Sequence, residues 1–202
     1  MQPQKFTILS LFILIVFYVQ SEDQFVVKPN PHSVSNWGLN FPPAVESLPK
    51  SKSKVVFPTP KGKKTVKTEL NQISCNNYLL ASGWEMAELS ELFKSSQSVF
   101  NLAYNTNAWY NATVPGTVLT TLVEQGVYPD PYFGINNLFI PDSLCRKDWV
   151  YRIKFKIPED QKDKTKWLKF DGINYRAIIW LNGKRIGRID GAFKREEFNK
   201  YK

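Results

Sequence analysis

The sequence predicts a mainly β fold, an antiparallel β-sandwich, from two local patterns in its second half. In residues 149–157 every second residue is apolar, and Arg152 and two lysines fill positions between them. This alternation is typical of a strand with one buried side and one solvent-facing side. Asn182-Gly183 separates two further strand-like runs, and this dipeptide is the strongest short-range signal of a β-hairpin. We therefore expect paired antiparallel strands here.

Three more strands are predicted, at residues 167–170, 177–181 and 184–189. The middle one is apolar on both faces, which predicts a strand that is covered on both sides. Upstream, apolar residues between Tyr78 and Met86 suggest a first strand, but residues 85–93 fit a short helix equally well, and the pattern leaves both open.

One short helix is predicted within residues 109–125. Thr117 stands where an N-cap is expected, and Val118, Leu119, Leu122 and Val123 form an apolar stripe at helical spacing. Gly126 then ends the helix. We expect this helix to close one end of the sandwich.

Two segments are predicted to precede the sandwich, which is assigned to residues 75–202. Residues 1–21 have Lys5 near the start and an apolar run at residues 8–19, which is the composition of a secretory signal peptide. That run is shorter than the roughly 20 apolar residues of a membrane span, although an uncleaved signal anchor remains an alternative. Residues 22–74 are rich in proline and lysine and are predicted to be a disordered spacer.

The net charge of +9 is concentrated in the spacer. Seven lysines lie in residues 50–67, which contain no acidic residue, and without them the net charge falls to about +2. Basic runs with proline and serine are usually solvated linkers, so no nucleic-acid partner is expected. Contact of this lysine run with a polyanion remains an alternative.

Five short motifs occur in a fixed order along the second half of the chain. They are VPGTVL at 114–119, PDPYFGINN at 129–137, DWVYR at 148–152, FDGINYRA at 170–177 and WLNGK at 180–184. Together they resemble the N-terminal sugar-binding domain of family 2 glycoside hydrolases, over roughly residues 79–193. Within that family the resemblance is nearest to the β-mannosidase and exo-β-D-glucosaminidase branch.

The resemblance implies a galactose-binding-domain-like jelly roll that is not itself catalytic. Family members carry their catalytic glutamates in a (β/α)8 barrel, which needs about 250 residues. After Phe193 the usual Arg-Gly and Phe-Asp of the family are replaced by KREEFN at 194–199. We therefore expect the front part of a longer enzyme, with the sandwich truncated at its C-terminal edge. A naturally short protein is the alternative.

The function implied for the full-length enzyme is retaining hydrolysis of β-linked mannosides or glucosaminides, without a cofactor. This chain alone is then expected to be inactive and to lie in the secretory or lysosomal lumen or outside the cell. Carbohydrate is the expected partner. A free-standing lectin-like module is the alternative, because the same sandwich often serves only to bind sugar.

No catalytic or metal-binding residue is assigned. Glycoside hydrolysis needs two carboxyl groups about 5–5.5 Å apart in a retaining enzyme, and the spacing of the carboxylates selects no such pair. The one histidine, His32, lies in the spacer. A Ser-His or Cys-His nucleophile and a zinc site are therefore not expected.

The predicted carbohydrate contacts are Tyr132, Asn136 and Asn137. They lie in a loop stiffened by Pro129 and Pro131; aromatic faces stack on sugar rings, and amides pair with hydroxyl groups. The competing interpretation has Tyr132 as a core residue and the asparagines as turn caps.

Two covalent modifications are also suggested. Asn111 begins the sequon Asn-Ala-Thr, a predicted N-glycosylation site. For Cys75 and Cys145 the sequence leaves two alternatives open, a disulfide in an oxidising compartment or two free thiols.

Overall fold

The computed structural model describes residues 10–17, 55–93, 98–101 and 103–199. The strands within these ranges are β1 Ser10–Phe17, β2 Asn71–Ser74, β3 Asn77–Leu79, β4 Glu85–Glu88, β5 Tyr110–Asn111, β6 Trp149–Lys156, β7 Trp167–Phe170, β8 Arg176–Leu181, β9 Lys184–Asp190 and β10 Glu196–Asn199. The helices are α1 Leu89–Leu92 and α2 Val118–Glu124, with short 3₁₀ turns at Asn136–Phe139, Asp142–Arg146 and Glu159–Gln161. The predicted mainly β class is therefore confirmed.

Six of the strands form one antiparallel sheet in the order β5-β4-β6-β1-β8-β9. The strands β7 and β10 form a second, two-stranded sheet, whose Leu168, Phe170 and Phe198 pack against the main core. The hairpin of β2 and β3 is separate. Two layers enclosing one apolar core are the arrangement of a β-sandwich.

The locally predicted elements are confirmed at their predicted positions. The strands β6, β7, β8 and β9 fall on the four predicted runs. Asn182 and Gly183 have φ of 49° and 76°, and two positive φ values are what a two-residue type I′ hairpin turn requires. Residues 85–93 contain both alternatives, since β4 is followed directly by α1.

The predicted helix is α2. The hydroxyl of Thr117 accepts a hydrogen bond from the Thr120 N–H at 3.0 Å, which confirms the N-cap. Gly126 follows with φ of 73°, and a Cβ there would lie 2.5 Å from the Thr59 carbonyl oxygen. Only glycine fits both the left-handed backbone and this close approach.

The sheet has a core face and a second face. The core face carries alternate residues of β4, β6, β8 and β9, among them Met86, Tyr151, Ile153, Ile179 and Ile189, all buried. On the second face a smaller cluster joins Ala87, Tyr104, Trp109 and Val150.

The solvent-facing prediction was wrong for Arg152. Lys154 and Lys156 are exposed as expected, but Arg152 is 0% exposed. The reason is that residues 98–101 and 103–109 cross the second face at that point, where the carbonyl oxygens of Asn101 and Tyr104 accept hydrogen bonds from Arg152. A period of two reports which side of a strand a residue occupies, but not whether a distant segment covers that side.

Two parts of the N-terminal third, which the sequence assigns to the signal peptide and the spacer, have a defined place in the structure. Ser10–Phe17, inside the predicted signal peptide (the leader, residues 1–21), is a strand of the main sheet. Residues 55–74, assigned to the spacer, lie against the domain: the Lys61 N–H donates to the Gln125 carbonyl at 2.8 Å, and β2 forms before Cys75. The rest of the leader and of the spacer lies outside the described residues. No helix among the described residues has the length and apolar character needed to span a membrane.

Candidate functional site

The loop that follows α2 is organised by one aspartate. Its start is held to the helix by the Val127 N–H, which donates to the Leu122 carbonyl at 2.8 Å. The Asp130 carboxylate accepts a hydrogen bond from the Tyr132 N–H at 3.0 Å. The backbone carbonyl of Asp130 accepts another from the Phe133 N–H at 3.2 Å. A short side chain that bonds the backbone two residues ahead forms an Asx turn. The loop conformation therefore depends on Asp130.

This loop presents apolar surface to solvent. Tyr132 is 96% exposed, and Phe133 and Leu138 are also largely exposed. Phe139 is partly covered by an edge-to-face contact with Phe57, with ring centroids 5.7 Å apart. Single exposed apolar side chains are ordinary on a protein surface, but a run of them in one loop is typical of a contact site.

The three predicted contact residues occupy different environments. Tyr132 and Asn137 are exposed. Asn136 is only 8% exposed, and its amide nitrogen donates to the Asp130 carbonyl oxygen at 2.8 Å. Asn136 therefore stabilises the loop through a buried hydrogen bond, while Tyr132 and Asn137 are accessible to a ligand.

A polar cluster on the second face was not anticipated from the sequence. The Glu85 carboxylate accepts from Lys63 Nζ at 2.5 Å and from Thr106 Oγ1 at 2.7 Å. Glu85 is also the cross-strand partner of Arg152, and opposite charges in that position attract. These residues are far apart in the sequence, so no local pattern could have grouped them.

Arg152 is the most enclosed member of this cluster. Its Nη2 donates to the Asn101 carbonyl at 2.8 Å, and its guanidinium carbon lies 5.7 Å from the centre of the Tyr104 ring. Burial lowers the pKa of Arg152, and the negative charge of Glu85 acts in the opposite direction. A guanidinium remains charged throughout the ordinary pH range, so the cluster holds a permanent positive charge beneath the second face.

The ion-paired carboxylates are suited to holding the fold together rather than to glycoside hydrolysis. Glu88 pairs with Lys147 at 2.7 Å, and Asp190 pairs with Arg176 at 2.9 Å. A glycosidase general acid must hold a proton near neutral pH, whereas a cation this close favours the ionised carboxylate. Within the described part of the chain, no group of three His, Cys, Asp or Glu side chains is placed to hold a metal ion.

The sequon lies at the edge of the main sheet. Asn111 ends β5, and its amide nitrogen donates to the Lys64 carbonyl at 2.9 Å. Together with Lys61, Glu124 and Gln125 it lines a surface cleft of about 250 Å³. The Asn111 side chain is partly exposed.

The two cysteines are both exposed free thiols in the structure. Cys145 Sγ lies 2.9 Å from the Asp142 carbonyl oxygen, to which it donates within the 3₁₀ turn before β6. Cys75 lies in the turn that joins β2 to β3.

The second half of the chain matches a known family, and the chain is similar to several named enzymes. Residues 92–200 match the family described as glycosyl hydrolase 2 galactose-binding domain-like. An exo-beta-D-glucosaminidase of Streptomyces avermitilis is 29% identical over 121 residues, which cover 58% of this chain and 13% of that protein. A mannosylglycoprotein endo-beta-mannosidase of Lilium longiflorum is 34% identical over 130 residues, 60% of this chain and 13% of that protein.

Two further matches are proteins named as beta-mannosidases. A beta-mannosidase of Bos taurus is 37% identical over 89 residues, which cover 44% of this chain and 10% of that protein. The crystal structure of beta-D-mannosidase from Dictyoglomus thermophilum matches with a TM-score of 0.45 and 35% identity, over 58% of this chain and 13% of that one. This chain thus corresponds to a small part of each relative.

The family match extends over more than half of the 202 residues. It includes β5 to β10, α2 and the loop organised by Asp130. It therefore covers most of the main sheet, the whole of the second sheet and the candidate contact residues, and on that basis the chain belongs to the glycosyl hydrolase 2 galactose-binding domain-like family.

Proposed function

We propose that this chain is the N-terminal, non-catalytic domain of a secreted family 2 glycoside hydrolase that acts on β-linked mannosides or glucosaminides. The observation that carries the proposal is the family match over residues 92–200, which includes the strands β5 to β10 and the helix α2. The relatives named as beta-mannosidases and exo-beta-D-glucosaminidases support the substrate class. In the full-length enzyme the domain would lie beside the catalytic barrel and contribute a loop to the sugar pocket.

The chain by itself is proposed to be inactive. The carboxylates of Glu88 and Asp190 are engaged by Lys147 and Arg176, whereas a glycosidase general acid must hold a proton near neutral pH. The purified chain should release no chromophore from aryl β-mannoside or aryl β-glucosaminide above the buffer rate. Turnover that survives repeated chromatography would overturn this part of the proposal.

Tyr132 and Asn137 are proposed to contact the sugar, with Asn136 as a positioning residue. The exposed ring of Tyr132 offers a face for the C–H side of a pyranose, and the Asn137 amide offers a donor and an acceptor for hydroxyl groups. Asn136 holds the loop through Asp130.

The experiment is a titration with mannose and glucosamine oligosaccharides, followed by NMR chemical shifts. Tyr132→Ala and Asn137→Ala should each weaken binding about tenfold, the equivalent of 1.4 kcal/mol. Leu138→Ala removes an exposed apolar side chain from the same loop and should leave binding unchanged. Equal loss in all three variants would indicate general damage to the loop and contradict the assigned roles.

A free-standing lectin-like module is the second candidate, and the exposure of Tyr132 and Phe133 favours it. Under this alternative the chain alone should bind a glycan array at micromolar concentration. Replacement of Asn136 and Asn137 by alanine should abolish that signal. Binding weaker than millimolar would favour the enzyme-domain proposal instead.

Entry into the secretory pathway is proposed from the apolar leader at residues 1–21 and the sequon at Asn111. Expression in a secretory cell line should yield a product whose mass falls after glycosidase treatment, and Asn111→Gln should remove that shift. A product found only in the cytosol would contradict this localisation.

A further inference from the structure

The main sheet contains one strand that is remote in sequence from the strands beside it. The strand β1 (Ser10–Phe17) lies between β6 and β8 and runs antiparallel to both. All eight of its residues pair with β6, and residues 13–17 also pair with β8. In the strand order β5-β4-β6-β1-β8-β9, β6 and β8 meet only through β1.

The position of β1 makes it necessary to the sheet in this arrangement. Without it the sheet would divide into β5-β4-β6 and β8-β9, and two long edges would expose unpaired backbone groups. Buried backbone N–H and C=O groups are nearly always paired. Because β1 pairs with β6 on one side and with β8 on the other, the gap between β6 and β8 accommodates one antiparallel strand.

Ile15 connects β1 to the main core. It pairs with Tyr151 on one side and with Ile179 on the other, and both of these residues belong to the core face. Ile15 itself is 5% exposed and is a member of the same core cluster. Its neighbours and its burial place this residue inside the sandwich.

The same residues lie within the apolar run of the predicted leader, at residues 8–19. A leader that is cut off after targeting leaves the mature protein, whereas a central strand must remain with it. One segment cannot do both in the same molecule.

We propose that the gap between β6 and β8 is a strand-acceptor site, and that Ser10–Phe17 fills it as a structural strand in the chain that keeps its N-terminal segment. Folding of the domain and removal of the leader then compete for one segment. Folding first buries β1 and protects it, whereas processing first removes the central strand. This inference does not depend on the carbohydrate function, and it adds a condition to the proposed secretion.

The test uses the full chain made by cell-free translation without membranes, so that the leader is retained. Ile15→Asp places a charge in the core and should lower the Tm by about 10 °C or more. Val56→Asp, at an exposed position outside the sheet, is the matched control and should shift the Tm by no more than about 2 °C. An Ile15→Asp variant that fails to fold while Val56→Asp folds also supports the proposal. An Ile15→Asp chain with the same Tm as the wild type would overturn the proposal.

Hydrogen exchange on the wild-type chain provides a second measurement that needs no variant. Amides of residues 10–17 should exchange on the order of 100-fold or more slowly than in an unstructured chain, and as slowly as those of β6. Rapid exchange there, or proteolytic release of residues 1–21 with an unchanged Tm, would overturn the proposal. Either failure would leave the family membership and the sugar-contact proposal intact, since both rest on residues 92–200.

Discussion

The two faces of the main sheet are closed by different means. On the core face, Tyr151 and Ile153 of β6 belong to one hydrophobic cluster with Ile179 of β8, and residues of the second sheet pack against it. On the second face, Arg152 and Glu85 lie among hydrogen bonds to residues of a distant crossing segment. The first face needs only apolar residues at alternate positions, whereas the second needs particular polar atoms at particular places. The two faces should therefore respond differently to substitution.

The largest effect is expected from the core face. Ile153→Ala removes a fully buried side chain and should lower the free energy of unfolding by roughly 3–4 kcal/mol, from lost burial and the cavity left behind. Urea unfolding followed by tryptophan fluorescence measures this change. The control Leu138→Ala, at an exposed position, should cost less than about 0.5 kcal/mol. Similar losses in both variants would remove the basis for treating this face as the main core.

A smaller loss is expected from the second face. Arg152→Met keeps much of the volume but leaves the Asn101 carbonyl without its donor, and should cost roughly 2 kcal/mol. Arg152→Lys keeps the charge and should recover part of that loss. If the methionine variant were as stable as the wild type, the second face would be held by apolar packing rather than by its hydrogen bonds.

Alkaline pH should act on the core face through one group. Burial raises the pKa of the Tyr151 hydroxyl to about 12, from the ordinary value of 10. Between these two values the unfolded chain loses its proton first, so stability falls as pH rises. The loss should be about 1.4 kcal/mol at pH 11. Tyr151→Phe should lack this part of the pH dependence. If the free energy of unfolding fell equally with pH in the wild type and in Tyr151→Phe, the assignment to Tyr151 would be contradicted.

The smallest effect is expected at the open end of the second face, on β9. A hydrogen bond from Arg188, reinforced by Arg176, lowers the pKa of the Asp190 carboxyl. Its stabilising contribution is therefore present at neutral pH and fades as acid protonates the carboxyl. Because the pair is exposed, water and salt screen it.

Carbon-detected NMR titration can measure this carboxyl directly. Arg188→Gln should raise the pKa of Asp190 toward its ordinary value, since the first of its two cation partners is removed. Lys184→Gln, on the same strand, should leave it unchanged. An Asp190 titration unaffected by Arg188→Gln would mean that the ion pair does not persist in solution.

Local chemistry made much of the fold predictable. The alternation in β6, the Asn182-Gly183 turn and the Thr117 cap each depend on residues within a few positions of one another. The family could be identified for the same reason, because its motifs are short and contiguous. The turn at Asp130 is equally local, since its hydrogen-bond partners lie two to six residues away.

Features that join distant segments could not be predicted in this way. By itself the sequence determined the strands β6 to β9, the hairpin, the capped helix and the family, because backbone preference and side-chain alternation act over a few residues. Only the tertiary structure decided that Arg152 is buried, that Lys63 reaches Glu85 and that Ser10–Phe17 enters the sheet. Each of these depends on which remote segment covers a given surface, and that is settled by the packing of the whole chain.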